Sequence, residues 1–550
     1  MIKQVVEAEI KRVVGEFCAL KGVTCAYTLE IPPKNINADL ALNTAMVIAK
    51  LLKTNPRIIA QELINTITAD EQISKYIERA DIAGAGFINL HFKEDFLSEN
   101  LQKIINSASR SGKTFYEDFG YSMPAGVAGK VMVEFVSANP TGPLHIGHGR
   151  GAAIGDSLAR VLSYLGENVT KEYYLNDVGN QMQVLADSVK AAYLNEPLPE
   201  DGYKGEYIKD IALTLSGNAE NIDFKAEAVN YILSGIKKDL EKFNIIFDNW
   251  FSESKIALDK NADGKTEVDI VCEELEKIGD AYMLDGALWL KSTKYGDDKD
   301  RVLRRSDGRY TYLASDVAYH KNKYARGFKK VVNLWGADHH GYVARMKAAV
   351  QMLGQPLSSL GIILYQLVSL SRNGVPVAMS TRTGEFDALA DVVTEVGVDA
   401  CRFSFLLRSP ESALEFDLDL AKKQTSENPV FYVQYVNARC NSIFKDAAKR
   451  TDFNKDVDLN ILKELSERNL IKKLCFFGDT LELCKKTMSP HHLAIYLTEL
   501  ADAYHVFYEN CRVLVEDANT FSARFKLLQG VSAVIEKGLS LLGVSAPKEM

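Results

Sequence analysis

Apolar residues recur at every third or fourth position along the first twenty residues, which predicts an amphipathic helix at the start of the chain. The positions that share one face of this helix are Ile2, Val5, Val6, Ile10, Val13, Val14 and Phe17. Alternating hydrophobic segments follow, and residues 86–92 have the pattern of a strand. We therefore expect residues 1–110 to form a small α/β module. The stretch 109–130 is rich in Gly, Ser and Lys, which favours a linker.

The hydrophobic period changes after this stretch. Residues 131–136 are typical of a strand, residues 137–143 hold the turn formers Asn, Pro and Gly, and residues 147–165 have helical spacing. Further strands are predicted at 173–177 and at 331–335. Strand, turn, helix and strand in this order open a doubly wound parallel sheet.

Two other regions complete the outline. Residues from about 195 to 290 are more charged and helical, which predicts an insertion in a central domain of residues 111–415. Residues 416–550 have an almost wholly helical pattern, which predicts an all-α bundle. Its helices are expected at 431–444, 461–484, 492–508 and 524–542. The fold class is multidomain α/β, with a Rossmann-like doubly wound parallel sheet between the small α/β module and the bundle.

Composition narrows the class of protein. In 550 residues, 47% are hydrophobic and 25% are charged, so the chain as a whole is not disordered. The net charge of −8 argues against a protein that coats nucleic acid indiscriminately. A local basic tract at 301–330, with nine Lys and Arg residues, is either a polyanion site or a solvated basic face.

Cysteine usage and hydropathy indicate the compartment. The eight cysteines include no Cys-x-x-Cys pair, which disfavours a disulfide scaffold and a four-cysteine zinc site. The longest apolar run, near 360–370, is well short of the roughly 18 residues that a membrane span needs. The first twelve residues carry charge throughout, unlike a signal peptide. We expect a cytoplasmic protein with reduced thiols, no membrane association and no protein-held metal.

The sharpest chemical signal is the segment Pro-Leu-His-Ile-Gly-His-Gly-Arg at 143–150. It lies where a predicted strand gives way to a helix, and the unpaired N–H groups of a helix start attract phosphate. His145 and His148 can donate hydrogen bonds to developing negative charge there, and Gly147 lets a flat base approach the backbone. A chance pair or a metal site is the alternative, and the strand–turn–helix context disfavours it.

This segment resembles the HIGH motif of class I aminoacyl-tRNA synthetases, and its surroundings resemble the arginyl-tRNA synthetases in particular. The resemblance spans nearly the whole chain, and its segments occur in the family's order. They are 130–148, 155–162, 249–253, 312–320, 336–342, 416–421 and 428–439.

The resemblance implies a two-step reaction. Arginine and ATP form arginyl-adenylate and pyrophosphate, and the arginyl group then passes to the 3′-terminal adenosine of tRNA(Arg). Mg²⁺ is expected on the ATP phosphates. The amino-terminal module is expected to contact the tRNA D-loop, and residues 416–550 are expected to read the anticodon. His145, Gly147 and His148 are expected at the ATP.

An arginine substrate calls for buried carboxylates that meet a planar guanidinium with two prongs. The resemblance implies that Glu134, Tyr312 and Asp316 hold the guanidinium. It also implies that Asn139 and His145 hold the amino-acid head group, and that Asp338 contacts the α-amino group. From the residues alone, Tyr312 could equally be a core aromatic residue and Glu134 part of a structural ion pair.

The second signature of the class, Lys-Met-Ser-Lys-Ser, is incomplete here. The segment 377–384 reads Val-Ala-Met-Ser-Thr-Arg-Thr-Gly, so only Met379 and Ser380 persist as ATP-binding candidates. Many relatives with this gap are expected to use a lysine before the HIGH strand instead. We predict that Lys130 contacts the phosphates as a point charge and that Arg382 assists.

One predicted helix of the bundle offers aromatic and polar side chains for the anticodon, because single-stranded bases are read by stacking and by hydrogen bonds to their edges. Core packing and solvated polar residues are the alternative. The candidates are Tyr432, Gln434, Tyr435, Asn437 and Arg439.

Other functions stay open at this stage. They are a class I synthetase or HIGH-containing nucleotidyltransferase of another specificity, a catalytically silent tRNA-binding paralogue, and a scaffold without a nucleotide site. A monomer is the expected state, because no long apolar stripe is evident.

Overall fold

A computed structural model of the chain describes residues 1–33, 36–107, 112–121, 129–377 and 388–550. Its amino-terminal part is the expected small α/β module, in which an antiparallel sheet of order β1-β2-β4-β3 packs with helices. The elements of this part are α1 (Ile2–Leu20), β1 (Leu29–Glu30), β2 (Leu40–Leu42), α2 (Thr44–Leu52), α3 (Pro56–Ala69), β3 (Ile77–Ala83), β4 (Phe87–Phe92), α4 (Glu94–Ser107) and α5 (Phe115–Phe119).

Two details of this module differ from the expectation. The predicted apolar face of α1 is buried, but Val5 is 39% exposed because it lies at the edge of that face. The expected linker contains α5, whose Phe115 and Phe119 are buried in an aromatic cluster with Phe477. Four aromatic residues within seven positions give this stretch enough apolar surface to pack, in spite of its Gly and Ser content.

The central domain begins with β5 (Lys130–Glu134) and continues through alternating strands and helices. Its further elements are α6 (Ile146–Tyr164), β6 (Asn168–Leu175), α7 (Asn180–Leu194), α8 (Glu206–Thr214), α9 (Phe224–Lys242), β7 (Asn249–Ser252), α10 (Ser254–Ala257), α11 (Glu267–Lys277), β8 (Ala281–Leu284), β9 (Ala287–Leu290), β10 (Arg301–Arg304), α12 (Tyr312–Ala325), β11 (Lys330–Gly336), α13 (Val343–Met352), β12 (Leu360–Tyr365), β13 (Val368–Arg372), β14 (Val375–Pro376), α14 (Leu389–Val396), α15 (Val398–Phe405), β15 (Leu414–Asp417) and α16 (Leu418–Ala421).

Within the described ranges, the main sheet of this domain has five parallel strands in the order β12-β11-β5-β6-β7. The chain builds β6 and β7 outward on one side of β5 and places β11 and β12 on the other. The order therefore reverses between β5 and β11, and in open α/β sheets ligands bind outside the carboxyl ends of the strands at such a switch point. The doubly wound parallel sheet is confirmed.

The stretch from 195 to 290 is more than a helical insertion. It contains the edge strand β7 of the main sheet, and β8 and β9, which form an antiparallel sheet with β10. These strands are only four residues long, so their alternation is too brief to stand out among charged neighbours. Three-dimensional pairing, rather than local pattern, defines them.

The carboxyl-terminal part is the expected helical bundle, made of α17 (Pro429–Ala447), α18 (Leu465–Cys475), α19 (Phe477–Thr487), α20 (His491–Asn510) and α21 (Ala518–Leu541). The helix predicted at 461–484 divides in two at Phe476. Gly478 follows this break by two residues, and the aromatic ring of Phe476 is buried where the chain bends. No helix of the described part of the chain is long and apolar enough to cross a membrane.

A buried guanidinium joins the bundle to the central domain. Arg402 of α15 is fully buried and donates to the Asp156 carboxylate of α6 at 2.6 Å. It also donates to the Leu542 carbonyl at 2.8 Å and to the Phe243 carbonyl at 3.0 Å. Gly543 has φ +69°, and a Cβ there would lie 2.3 Å from the Arg402 guanidinium carbon. Asp156 further accepts from Arg160 and Lys171.

Candidate active site

The predicted site residues lie around the carboxyl ends of the parallel strands. β5 ends at Glu134, β11 ends at Gly336, and the HIGH segment leads from β5 into α6. This is the switch point of the sheet, where the fold leaves a crevice for a ligand.

His145 and His148 form the amino-terminal cap of α6. The Nδ1 atom of His145 accepts a hydrogen bond from the Gly147 N–H at 3.1 Å, and Nδ1 of His148 accepts from the His145 N–H at 3.3 Å. The two rings stack with their centroids 3.7 Å apart. A Cβ on Gly147 would lie 3.0 Å from the His145 ring, so the glycine makes room for this histidine. The His145 ring therefore already lies close to Gly147, where the sequence predicts the approach of a base.

Both histidines are neutral at pH 7. Burial lowers the pKa of His145, and burial together with the adjacent His145 ring lowers the pKa of His148 to about 3. Since each ring accepts at Nδ1, its proton is on Nε2. The HIGH segment therefore supplies hydrogen-bond donors without a positive charge, which suits electrostatic stabilisation of phosphate oxygens rather than acid–base work.

An acid pocket, which we define as Glu134, Glu253 and Asp316, lies at the same edge of the sheet. Glu134 is 8% exposed, and its Oε1 accepts from the Ser137 hydroxyl at 3.2 Å. Its Oε2 accepts from the ammonium of Lys323. Asp316, on α12, accepts from the Tyr342 hydroxyl. The structure thus brings together the two carboxylates that sequence reasoning assigned to a guanidinium.

The carboxylates of the acid pocket disfavour each other's ionisation. Burial raises the pKa of Asp316 to about 7 even though Tyr342 donates to it, and the charges of Glu134 and Glu253 add to the rise. Burial also raises the pKa of Glu253, and the nearby Asp177 adds to that rise. Like charges so placed are destabilising unless a cation binds among them.

Sequence reasoning assigned no role to Glu253. It closes the quoted segment 249–253 and is 4% exposed, and it lies just beyond the carboxyl end of β7, at the edge that the HIGH turn shares. The sequence pattern that could have identified Glu253 is an acidic residue directly after a short strand of a parallel sheet. Tyr342 could have been found in the same way from the segment 336–342, which precedes α13.

The turn between β5 and the HIGH segment is strained. Val136 has φ +65° and Ser137 has φ +41°, a region that side chains rarely occupy and a β-branched residue least of all. The Ser137 hydroxyl accepts from the Tyr174 N–H of β6 at 3.1 Å while it donates to Glu134. The strained backbone therefore holds the Ser137 hydroxyl where it orients the Glu134 carboxylate. Strained residues of this kind are common at functional sites.

Three other predicted residues are more exposed. Tyr312, the first residue of α12, is 64% exposed, and its hydroxyl lies beside Gly179. Asn139 donates to the Gln181 side chain at 2.7 Å, close to the start of α7. Asp338 is exposed in the 3₁₀ turn that follows β11. They lie at the rim of the crevice rather than inside the acid pocket.

Lys130 is not with the histidines. It is the first residue of β5, so about 13 Å of strand separates it from Glu134 at the carboxyl end. Its ammonium donates to the Arg326 carbonyl at 2.8 Å and lies 4.5 Å from the centre of the Phe328 ring. The first residue of a strand and a motif beyond its end lie at opposite edges of the sheet, so this structure does not bring Lys130 to the histidines, and its contact with the phosphates stays a prediction. Met379, Ser380 and Arg382 lie outside the described residues.

The anticodon candidates on α17 divide into two groups. Gln434 and Asn437 are buried and tie the chain's last residues to the helix: Gln434 donates to the Ser545 carbonyl at 2.9 Å, and Asn437 donates to the Ala546 carbonyl at 3.2 Å. In this structure both amides bond within the protein, and their contact with the anticodon stays a prediction. Their amides looked available only because the sequence does not show what covers them.

The other three candidates remain partly exposed and form an aromatic face. Tyr432 lies 4.6 Å from the His505 ring and donates to Asp502, while the Arg439 guanidinium lies 5.0 Å from the Tyr508 ring and 5.7 Å from the Tyr435 ring. Rings with an intercalated guanidinium suit the stacking of bases.

No group of three or more His, Cys, Asp or Glu side chains in the described ranges is arranged to hold a metal ion. The residues that the structure places at the crevice therefore do not fit a protein-held Mg²⁺. The acids of the pocket are paired with hydrogen-bond donors or are close to one another, which suits an organic cation better than a small hydrated ion.

Three family models match the chain in order. They are the arginyl tRNA synthetase N-terminal domain at residues 1–92, the class I (R) tRNA synthetase catalytic domain at residues 116–403 and the DALR anticodon binding domain at residues 433–550. Their succession follows the module, the parallel-sheet domain and the helical bundle described above.

Relatives cover almost the whole chain. The arginine–tRNA ligase of Oleidesulfovibrio alaskensis is 46% identical over 540 residues, which are 94% of this chain and 95% of that protein. That of Citrifermentans bemidjiense is 45% identical over 97% of this chain and 99% of its own length. The solved arginyl-tRNA synthetase of Thermus thermophilus has a TM-score of 0.76 with all of both chains covered, and at 22% identity it supports the fold alone. The chain belongs to the arginyl-tRNA synthetase family.

Proposed function

We propose that the acid pocket binds the guanidinium of arginine. The observation that carries this proposal is the raised pKa of Asp316 beside Glu134 and Glu253, since a buried surplus of negative charge has a use only when a cation joins it. Glu134 and Asp316 would accept the two-pronged hydrogen bonds of the guanidinium. Tyr312 would close over it from the rim.

The remaining contacts to arginine follow from the same pose. Asn139 and His145 would hold the carboxylate end, and Asp338 would meet the α-amino group. All three lie at the rim of the crevice or at the start of α6, beyond the acid pocket. The carboxylate of arginine would then point toward the HIGH segment, where the α-phosphate of ATP must be.

The chain is an arginine–tRNA ligase. It joins arginine to tRNA in two steps, which need no covalent nucleophile from the protein. The arginine carboxylate attacks the α-phosphorus of ATP, and the bond to pyrophosphate breaks. A hydroxyl of the 3′-terminal adenosine then attacks the arginyl carbonyl, and AMP leaves with the electron pair of the acyl–phosphate bond.

ATP would bind over the start of α6. His145 and His148 would donate from Nε2 to phosphate oxygens, and Gly147 keeps the backbone open at the helix terminus. Met379, Ser380 and Arg382, which follow β14 in the sequence, would contact the nucleotide. Mg²⁺ would enter with ATP as part of the substrate.

The outer parts of the chain would bind tRNA(Arg). Residues 1–110 would contact the D-loop, residues 111–415 would hold the acceptor end at the crevice, and residues 416–550 would read the anticodon. Tyr432, Tyr435 and Arg439 are the proposed base-contacting residues. We propose a monomer that acts in the cytoplasm.

Exchange of pyrophosphate into ATP, measured with each of the twenty amino acids and with or without tRNA, tests this proposal. Exchange that requires arginine and is lost in a Glu134→Gln variant would support it. Exchange with another amino acid would overturn the pocket assignment. A variant of an exposed residue outside the crevice, Lys321→Met, is the matched control.

A further inference from the structure

The basic tract 301–330 contains one residue that is neither a solvated charge nor available to a polyanion. Lys323 of α12 is fully buried, with no exposed side-chain surface. A buried lysine is rare and is kept only where it is paired. Here it lies directly beside a pocket proposed to bind a cation, where its own positive charge repels the substrate.

The ammonium of Lys323 has three partners. It donates to Oε2 of Glu134, it donates to Oδ1 of Asn333 on β11 at 3.0 Å, and it lies 4.1 Å from the centre of the Tyr319 ring. This leaves Oε1 of Glu134, which Ser137 orients, on the remaining side of the carboxylate. Both oxygens of Glu134 are thus positioned by the protein before any substrate arrives.

The hydrogen-bond chain continues to the backbone of Asp316, the residue that carries the second carboxylate. The Asn333 side-chain amide donates to Nε2 of His320 at 2.8 Å, and Nδ1 of His320 donates to the backbone carbonyl of Asp316 at 2.7 Å. Burial and the nearby Lys323 charge hold the pKa of His320 well below its usual value, so the ring is neutral and its proton is on Nδ1. Every donor and acceptor in this relay has one assigned direction.

The relay therefore connects Glu134 on β5 to Asp316 on α12 through β11. The carboxylates of Glu134 and Asp316 repel each other, so the protein must hold β5 and α12 at a fixed distance to keep them close. A guanidinium binds best to two carboxylates held at a fixed spacing, because its donors form a rigid planar fork. An ammonium has no such fork and does not need this spacing. Completely satisfied buried polar networks are the ones that rigidify a site.

We propose that Lys323, with Asn333 and His320, is a positioning residue that fixes Glu134 relative to Asp316 for two-pronged capture of the arginine guanidinium. The members of the relay bond to Glu134 and to the Asp316 backbone, and none of the hydrogen bonds described for them involves the histidines of the HIGH segment. The relay affects arginine binding through Glu134, so interrupting it should raise the KM for arginine. This inference rests on the proposed arginine site.

The test compares Lys323→Met with Lys321→Met in pyrophosphate exchange with tRNA present. Lys321 lies on the same helix but pairs with Glu274 at the surface, so it matches the chemical change without the relay. We expect Lys323→Met to raise the arginine KM at least tenfold and to leave the ATP KM within twofold. Lys321→Met should change neither constant.

Asn333→Ser provides a second variant in case Lys323→Met does not fold, because it interrupts the relay and keeps the Glu134–Lys323 pair. We expect a smaller rise in the arginine KM, about three- to tenfold, with the ATP KM unchanged. A Lys323→Ala variant should regain arginine affinity when propylammonium is added, since the amine can occupy the vacated position beside Glu134.

Glu134→Gln, measured in parallel, tests the arginine site separately from the positioning role of Lys323. If Glu134→Gln leaves the arginine KM unchanged, the arginine site itself is misassigned. If Glu134→Gln raises the arginine KM while Lys323→Met and Asn333→Ser stay within twofold of the parent enzyme, the positioning role is overturned and the site stands. Equal rises in the arginine and ATP KM values would also overturn it, because they indicate a general loss of structure.

Discussion

Two buried clusters of charge in the central domain differ in their balance. Around Asp156, one carboxylate faces three cations from Arg402, Arg160 and Lys171, at 2.6 to 3.1 Å. In the acid pocket, the ammonium of Lys323 pairs with Glu134, while Asp316 and Glu253 both have raised pKa values. The first cluster is satisfied within the protein, whereas the second carries surplus negative charge.

The direction of the pKa shift separates structure from function in these clusters. Burial would raise the pKa of Asp156, but its three cationic partners outweigh burial and lower it. Burial raises the pKa of Asp316 to about 7, and its acidic neighbours reinforce the rise. In these two clusters, the carboxylate with the lowered pKa is satisfied by cations of the protein, and the carboxylate with the raised pKa lies beside other acids.

The largest expected effect is on stability at the satisfied cluster. Asp156→Asn removes the carboxylate from the buried Arg402 and leaves its positive charge without an ionic partner. Breaking a buried pair in this way costs roughly 3–5 kcal/mol of folding free energy. Urea unfolding followed by tryptophan fluorescence measures it well, because Trp250, Trp289 and Trp335 all lie in the central domain. A loss of folding free energy below about 1 kcal/mol would show that the Asp156 cluster does not stabilise the fold to this extent.

Next in size is the effect of neutralising the acid pocket on catalysis. Glu134→Gln keeps the shape of the side chain but withdraws the charge that the guanidinium would meet. We expect kcat/KM for arginine to fall by about 100-fold, or about 2.7 kcal/mol. The midpoint of urea unfolding should fall as well, because the buried Lys323 loses its ionic partner. A fall in kcat/KM of less than about tenfold would remove Glu134 from the contact with arginine.

The same chemical change should have opposite signs in the two clusters. The folded-state pKa of Asp316, about 7, is above its value of 3.8 in an unfolded chain, so ionising it costs stability, and this cost grows as the pH rises from about 4 to about 7. Asp316→Asn should therefore raise the free energy of unfolding at pH 8 by about 1–3 kcal/mol while it abolishes arginine-dependent exchange. Destabilisation by this variant would contradict the surplus-charge argument.

A smaller effect is expected from pH alone. Arginine binding needs ionised Asp316, and with a pKa of about 7 the ionised fraction falls about tenfold between pH 8 and pH 6. The arginine KM should therefore rise by up to about tenfold over this range, while the ATP KM should change less, because burial lowers the pKa of both His145 and His148. An arginine KM independent of pH would remove Asp316 from the contact.

The smallest effect should come from an exposed pair. Arg309 and Asp307 form a surface ion pair in the basic tract, with more than two fifths of each side chain exposed. Arg309→Met should change the free energy of unfolding by less than about 0.5 kcal/mol, because exposed pairs gain little in water. It should leave arginine kinetics unchanged, and it gives the baseline against which the two buried clusters are judged.

The long periodic elements were predictable from the sequence. The spacing of apolar residues gave both ends of α6 to within one residue and the start of α1, and the strand–turn–helix pattern placed His145 and His148 at a helix start. Short strands such as β7 were missed, because four residues give no reliable period.

Burial of polar residues could not be predicted. Gln434 and Asn437 looked like candidates for base recognition and are covered by the chain's last residues. Lys323 looked like one charge of a basic face and is the most buried of them. What covers a polar side chain is decided by segments far away in sequence, so only the fold distinguishes these cases.

The junction at Arg402 restricts how the modules of this enzyme can be exchanged. Its guanidinium is shared between α6, the turn after α9 and the carbonyl of Leu542, and Gly543 leaves the room that it occupies. A chimera that receives a helical bundle from another synthetase would need a residue without a side chain at this one position and a free carbonyl just before it. The compatibility of grafted domains is thus set by two backbone groups, which an alignment of side-chain chemistry would overlook.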